Sequence, residues 1–210
     1  MNDVSFDELN KLSEESMRSE PYEKYFEDME ITDEQKEERI KFSKDIEPVL
    51  IYILALASMM IKQDSIDRLF LIKEFKTEYL DIVEKYMAID DYILSYSDIL
   101  SNNIINATFD NSDEYFLSYD RVYFVSECEA NSVLNYSDFK KAVLEGKKYK
   151  TWVDIRDRRE RKTHREVGGK TIPILESFVV GSSLLLYPKD TSLGASSSEI
   201  VNCRCTVKYS

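Results

Sequence analysis

The chain has 210 residues, 43% of them hydrophobic, and its 40 acidic and 28 basic residues give a formal net charge of −12. This apolar content excludes wholesale disorder, which requires few apolar residues. The acidic balance argues against a protein that coats DNA, and against electrostatic docking on an anionic membrane.

The first predicted elements are helices with recognisable starts. The first thirty residues are acidic and lack an apolar core, so no signal peptide is predicted. Ser5 is followed three residues later by Glu8, a capping-box pattern that predicts a helix start. Thr32 and Gln35 repeat this pattern and predict a second start. Pro48 is expected to end or kink the helix that begins there.

A continuous apolar run at residues 49–61 predicts a fully buried helix. Its thirteen residues are fewer than the roughly twenty that cross a bilayer, so no membrane span is predicted. Ser137 is expected to cap a separate short helix, and Gly146 to follow that helix as its C′ residue. Apolar residues at helical spacing predict the helices between these points, at about 66–87, 93–104 and 119–136.

The remainder of the chain has a different composition. Residues 1–146 carry 33 acids and 15 bases, whereas residues 147–210 carry 7 acids and 13 bases. All five glycines lie after position 145. We therefore predict an acidic helical region at 1–146 and a basic module at 147–210. In that module, strands are predicted at 150–153, 184–187 and 200–209, with a loop or helical turn at 154–164.

These elements predict an α+β fold, in which a helical N-terminal region precedes a small mixed, β-rich C-terminal module. The three cysteines are too few for a secreted disulfide scaffold, so we expect a reducing compartment.

One candidate site in the module is a metal centre. His164 is the only histidine, and Cys203 and Cys205 lie two positions apart. Alternate residues of a strand share one face, so both thiols should point the same way, with Arg204 opposite. Together with Asp154 they would make a four-ligand zinc site. The isolated C-x-C spacing favours the alternative, in which both cysteines are small buried apolar side chains and no cofactor is bound.

A second candidate is the basic stretch at residues 147–165, which has nine Lys or Arg, three acids, one Trp and one Tyr. Its cations could contact phosphates while its aromatic rings stack on bases. Its arginines could equally form internal salt bridges, or dock the module on the acidic helices. The residues predicted to contact nucleic acid or a partner are Lys147, Lys148, Lys150, Arg158, Arg161, Lys162 and Arg165.

An enzyme is the third candidate. His164 could act as a general base, with neighbouring arginines stabilising a phosphoryl transition state, as in a small nuclease or toxin-like enzyme. No glycine-rich phosphate loop, nucleophile elbow or zinc-protease helix accompanies this histidine. We therefore expect that the chain is not an enzyme and keep the nuclease as the alternative.

An ordered set of residues in the C-terminal part carries a family resemblance. In chain order it comprises Trp152, Asp154, Arg156, Arg159, His164, Gly168 or Gly169, Pro173, Phe178, Pro188, Asn202, Cys203, Arg204 and Cys205. The preceding helix adds Glu129, Ala130, Asn131 and Asn135. From about residue 118 onward the chain resembles the phage Mu F-like head morphogenesis family, the minor head proteins of tailed phages and prophages. Asp157, Arg158 and Arg161 depart from that pattern.

The resemblance implies a non-catalytic minor head protein that acts in head morphogenesis and binds the portal protein. Scaffold protein, major capsid protein and DNA are further candidate partners, and no membrane is involved. The implied location is the interior of the virion head or procapsid. During assembly the protein would be in the host cytoplasm. The resemblance also implies an internal polar brace for the module, made of Trp152, Asp154, Arg156, Arg159, His164, Asn202 and Arg204.

Overall fold

The computed structural model describes residues 20–210, so the helix start predicted at Ser5 and Glu8 lies outside the described residues. Seven α-helices, one 3-10 helix at Glu114–Leu117 and five short strands are present within the described range. The helices are α1 (Glu20–Phe26), α2 (Asp33–Lys62), α3 (Arg68–Val83), α4 (Asp91–Asp110), α5 (Tyr119–Leu144), α6 (Lys162–Val167) and α7 (Ser197–Ile200). The strands are β1 (Tyr149–Val153), β2 (Thr171–Pro173), β3 (Phe178–Val180), β4 (Ser183–Leu185) and β5 (Thr206–Tyr209).

The helical region packs around one hydrophobic core. Helix α2 contacts α1, α3 and α5, and α4 packs against α3. Fully buried side chains from three of these helices meet there, including Phe42 and Ile46 from α2, Phe75 from α3 and Leu134 from α5. Each such side chain contributes roughly 1.5–3 kcal/mol through its burial.

The predicted start of α2 is confirmed, but its predicted end at Pro48 is wrong. Thr32 Oγ1 accepts from the Gln35 backbone N–H at 3.2 Å, and Gln35 Oε1 accepts from the Thr32 N–H at 3.1 Å. The helix then continues through Pro48 to Lys62. Buried side chains on both sides of the proline, Ile46 and Leu50, hold the helix in the core and offset the lost backbone hydrogen bond.

The apolar run at 49–61 forms the second half of α2 and is only partly buried. Leu50 and Ile53 are inside, whereas Tyr52, Met59 and Ile61 are about half exposed, so the prediction of a fully buried helix is wrong. Among the described helices, none combines the length and apolarity that crossing a bilayer requires.

Helix α5 is longer than predicted. It passes through Ser137, which is buried in the helix interior, so the cap predicted at that serine is wrong. The helix is capped instead by Ser118, whose hydroxyl accepts from the Arg121 N–H. It ends at Leu144, and Gly146 follows with a φ of +73°, as predicted for a C′ residue.

The C-terminal part contains a three-stranded antiparallel sheet in the order β2–β1–β5, and a separate β3–β4 hairpin. Trp152 of β1 lies opposite Val207 of β5. The fold class is α+β, as predicted. A second hydrophobic cluster fills this part, and its buried members are Trp152, Val167, Phe178, Val180, Leu185, Cys203 and Cys205.

Two strands are shorter than predicted. Strand β4 ends at Leu185, and β5 begins only at Thr206 because α7 and a turn occupy residues 197–202. Cys203 and Cys205 therefore lie on a three-residue segment just before β5, which we call the ligand loop (residues 203–205). The predicted loop at 154–164 leads into α6.

Candidate metal centre

Three buried side chains meet at one point in the C-terminal part. His164 Nδ1 lies 3.4 Å from Cys205 Sγ and 3.5 Å from Cys203 Sγ. All three ligand atoms lie within 4.8 Å of one another. Histidine nitrogen and cysteine sulfur are the preferred ligands of zinc and similar ions. These three residues thus form a cluster that could hold a metal ion.

The histidine is placed by α6, and the sulfur atoms by the ligand loop. The His164 backbone N–H donates to Arg161 O at 3.1 Å in the first turn of α6, a helix that packs against β3. The Trp152 ring of β1 lies edge-on to the imidazole, with ring centroids 5.8 Å apart. The imidazole is therefore enclosed by a helix, a strand and the loop that carries both thiols.

The second nitrogen of the imidazole is held by a carboxylate. His164 Nε2 lies 3.2 Å from Glu199 Oε2, which also accepts from Thr163 Oγ1 at 2.8 Å. A histidine that donates from Nε2 keeps its Nδ1 lone pair available to the two sulfur atoms. Metal-binding histidines almost always donate their other ring N–H to a carboxylate, a backbone carbonyl or water, and Glu199 fits this role. No sequence pattern identified Glu199, which becomes a neighbour of His164 only through the fold.

The three groups also shift each other's protonation. The hydrogen bond from Cys205 lowers the pKa of Cys203 well below its usual range, and His164 lowers it further. The same hydrogen bond to Cys203 raises the pKa of Cys205. Burial lowers the pKa of His164, but the hydrogen bond to Cys203 and the negative charges of Cys203 and Glu199 together outweigh burial, and the net change is upward. The cluster therefore favours a thiolate at Cys203, the protonation state that metal binding needs.

The predicted fourth ligand, Asp154, lies elsewhere. Among the described residues, the cluster of ligand atoms contains only the histidine and the two cysteines. The Asp154 carboxylate packs against Gly168, where an added Cβ would come within 2.4 Å of it, and lies 3.4 Å from Arg156 Nε. Asp154 thus braces the end of α6, so its assignment as a metal ligand is wrong.

The predicted polar brace is only partly buried. Trp152, Asp154, His164 and Arg204 are buried, and Arg204 pairs with Asp157. The other three predicted members, Arg156, Arg159 and Asn202, are exposed, and their assignment to an internal brace is wrong. These three side chains lie on loops that the strand and helix patterns do not bury.

Two asparagines of α5 perform the bracing instead. Asn131 Nδ2 donates to Cys203 O at 3.2 Å and to Cys205 O at 3.4 Å. Asn135 Nδ2 donates to Cys205 O and to Pro188 O, each at 3.2 Å. The carbonyl groups of the ligand loop are therefore fixed to the helical region, while the sulfur atoms face His164.

These asparagines are in turn held by Arg39 of α2, which is fully buried. Its Nε donates to Asn131 Oδ1 at 3.2 Å, and its NH2 donates to Asn135 Oδ1 at 3.1 Å. The resemblance had singled out both asparagines. Nothing in the local sequence marks Arg39, because a charged residue in a helix is ordinarily exposed.

The predicted contact residues of the basic stretch divide into three groups by exposure. Lys150 is fully buried, and its Nζ donates to Leu186 O at 2.6 Å, so its prediction as a nucleic-acid contact is wrong. Burial lowers the pKa of Lys150 to about 8. Arg161 is half-buried and donates to Val201 O. The remaining residues are exposed, namely Lys147, Lys148, Arg158, Lys162 and Arg165.

A cleft of about 110 Å³ borders the cluster. Its lining includes Asp157, Glu160 and Asn202 beside the histidine and both cysteines. Sites for small organic ligands usually measure about 300–1,000 Å³, so this cleft suits an ion better than a nucleotide.

Compared with protein-family models, with curated proteins and with solved structures, the chain has no significant match in any of the three. The resemblance to the Mu F-like family therefore stays a prediction.

Proposed function

We propose that the chain is a phage or prophage minor head protein that binds the portal and acts in head morphogenesis. The observation that supports this most is the convergence of residues that carry the resemblance. Trp152, His164 and both cysteines of the ligand loop come from separate segments and meet in one buried network with Asn131 and Asn135. Such convergence is expected of residues that hold a shared fold together.

The role we propose is structural, not catalytic. The His164 side chain is only 2% exposed and is surrounded by two sulfur atoms and the Glu199 carboxylate. A general base must come within hydrogen-bond reach of its substrate, and a histidine enclosed in this way has little access to a nucleic-acid strand. This burial favours bracing over the nuclease alternative.

We further propose that the cluster holds Zn²⁺. With a Zn–S distance of about 2.3 Å and a Zn–N distance of about 2.0 Å, the nitrogen-to-sulfur edge of a tetrahedral site is about 3.5 Å. The corresponding distances here are 3.4 and 3.5 Å. Thiolate and imidazole ligands also favour zinc over magnesium or calcium. The zinc ion would tie α6 to the ligand loop and so stabilise the module.

The exposed charges suggest where partners bind. The cations at Lys147, Lys148, Arg158, Lys162 and Arg165 face solvent and suit DNA phosphates or an acidic protein surface. The acidic helical region offers a surface of opposite sign for a different partner. Portal on one surface, with DNA, scaffold or major capsid protein on the other, is the arrangement we propose for the head or procapsid interior.

The test is co-expression with the portal protein encoded by the same phage or prophage, followed by affinity purification and gel filtration. A stable complex would support the proposal, and two proteins that elute separately would contradict it. For the nuclease alternative, the purified chain is incubated with DNA and with RNA. Cleavage that disappears in a folded His164→Ala variant would favour the enzyme.

A further inference from the structure

The proposed zinc site has three ligands and needs a fourth. Structural zinc is almost always bound by four protein ligands in a tetrahedron. His164, Cys203 and Cys205 supply three within the described part of the chain, and Asp154 is engaged elsewhere. Within the described residues, the candidates for the fourth ligand are the side chains that border the same cleft.

Two carboxylates line that cleft, those of Asp157 and Glu160, and both oxygens of Asp157 already accept hydrogen bonds. Asp157 Oδ1 accepts from the Arg159 backbone N–H at 2.9 Å, and Asp157 Oδ2 accepts from Arg204. Both of its oxygens thus have protein partners. Recruiting Asp157 to an ion would leave the buried guanidinium of Arg204 without its partner, which is costly.

The other carboxylate, Glu160, has an oxygen with no hydrogen bond. Its side chain is 3% exposed, and its Oε2 accepts from Arg165 Nε at 3.0 Å. Its Oε1 is buried without a hydrogen-bond partner. A buried carboxylate oxygen in that state is unfavourable unless something else binds it. A cation in the adjoining cleft would do so.

We infer that Glu160 is the fourth ligand of this metal centre and binds through Oε1, an inference that rests on the proposed zinc site. Glu160 lies in the loop between β1 and α6, four positions before His164. Its ion-pair partner, Arg165, has a side chain that is 59% exposed, and such pairs hold a side chain weakly. Glu160 is outside the 4.8 Å group of ligand atoms, so it moves into the cleft when the ion binds. The ion then joins three segments: this loop, α6 and the ligand loop.

The test uses the full chain, freed of metal and titrated with Zn²⁺ in competition with a chromophoric chelator, and separately with Co²⁺, whose visible spectrum reports its ligands. Glu160→Gln removes the charged ligand but keeps the side-chain size. The matched control is Glu166→Gln, the same change on the outer face of α6, where the side chain is 61% exposed. We expect Glu160→Gln to weaken Zn²⁺ binding at least tenfold and to alter the Co²⁺ spectrum, and Glu166→Gln to do neither.

The outcomes separate this inference from its premise. Equal Zn²⁺ affinity and identical Co²⁺ spectra for the wild type and Glu160→Gln would overturn the role of Glu160 and leave the zinc site standing. Equal weakening by both substitutions would also overturn it, since a general charge effect would then be the cause. A wild-type chain that binds no metal would overturn both zinc statements, while the portal experiment would still decide the head-protein proposal. If Glu160→Gln does not fold, Glu160→Asp replaces it, with weakened binding and an altered spectrum again expected.

Discussion

Arg39 Nε donates to Asn131 Oδ1 over 3.2 Å, and Nδ2 of the same asparagine donates to Cys203 O over 3.2 Å. A guanidinium in α2 is therefore separated from a candidate metal ligand by a single side chain. Arg39 also lies 3.1 Å from Asp138, whose side chain is 15% exposed. The helical region and the C-terminal module are thus connected through buried polar contacts as well as through apolar packing.

Arg39→Met is expected to destabilise the protein by about 3 kcal/mol, because it leaves two asparagine oxygens and a carboxylate without their buried donor. Urea unfolding of the full chain measures the change. Lys44→Met is the matched control, since Lys44 pairs with Glu23 at 3.4 Å and both side chains are about half exposed. Its effect should stay within about 0.5 kcal/mol. Equal losses for the two variants would contradict a structural role for the Arg39 network.

Zinc should stabilise the fold in a way that depends on the ligand loop. With free zinc at about 1,000 times its dissociation constant, binding adds about 4 kcal/mol, which for a chain of this size raises Tm by roughly 8–16 °C. Cys203→Ser should abolish the difference in Tm between zinc-loaded and chelator-treated protein. Cys128→Ala, at a buried cysteine outside the cluster, should keep that difference. A Tm that chelator leaves unchanged in the wild type would refute the prediction.

Glu127 should make stability fall as the pH rises from about 4.5 to about 8. Burial raises the pKa of Glu127 to about 8, although the charges of Arg159, Arg204 and Lys189 oppose the shift. In this window the folded state keeps a proton that the unfolded state has lost, so unfolding is progressively favoured. Glu127→Gln should therefore gain stability relative to the wild type across this window. Denaturant unfolding at pH 5, 6.5 and 8 measures the gain, and the exposed Glu145→Gln should show none.

DNA binding should depend on the exposed cations of the basic stretch and not on the buried Lys150. Arg158→Glu and Lys162→Glu are expected to weaken DNA binding. Each lost phosphate contact should also make the plot of log binding constant against log salt concentration less steep, by roughly one unit of slope. Lys150→Met, at the fully buried position, should leave the salt slope unchanged. Fluorescence anisotropy at several salt concentrations measures both quantities. A slope that falls only for Lys150→Met would contradict this assignment of the surface.

Elements with local signals could be predicted from the sequence. The reciprocal cap of Thr32 and Gln35 and the C′ glycine at 146 depend on neighbouring residues alone, and both are confirmed. Pro48 and Ser137 carry equally clear local signals, but packing of α2 and α5 in the core outweighs them. Local pattern is a weak guide where a long helix packs in the core on both sides of the signal.

For the candidate site, residue types were easier to predict than partners. His164, Cys203 and Cys205 do meet, although the cysteines lie before β5 and not on it. The carboxylates could not be assigned, because Asp154, Glu160 and Glu199 are equally plausible from spacing. Only the loop between β1 and α6 and the position of α7 decide which of them reaches the histidine. Arg39 was missed for the same reason, since its partners are 92 and 96 positions away.

The strand order β2–β1–β5 has a consequence for synthesis on the ribosome. Strand β1 is the centre of its sheet, and one of its edges can pair only after residues 206–209 have been made. The buried members of the helical core end at Leu134 of α5, so this core can assemble on the nascent chain before β5 is made. Until β5 and the ligand loop have been made, the side chains of Trp152 and His164 lack the residues that enclose them. We therefore expect this stage of synthesis to be the most prone to misfolding and to chaperone binding.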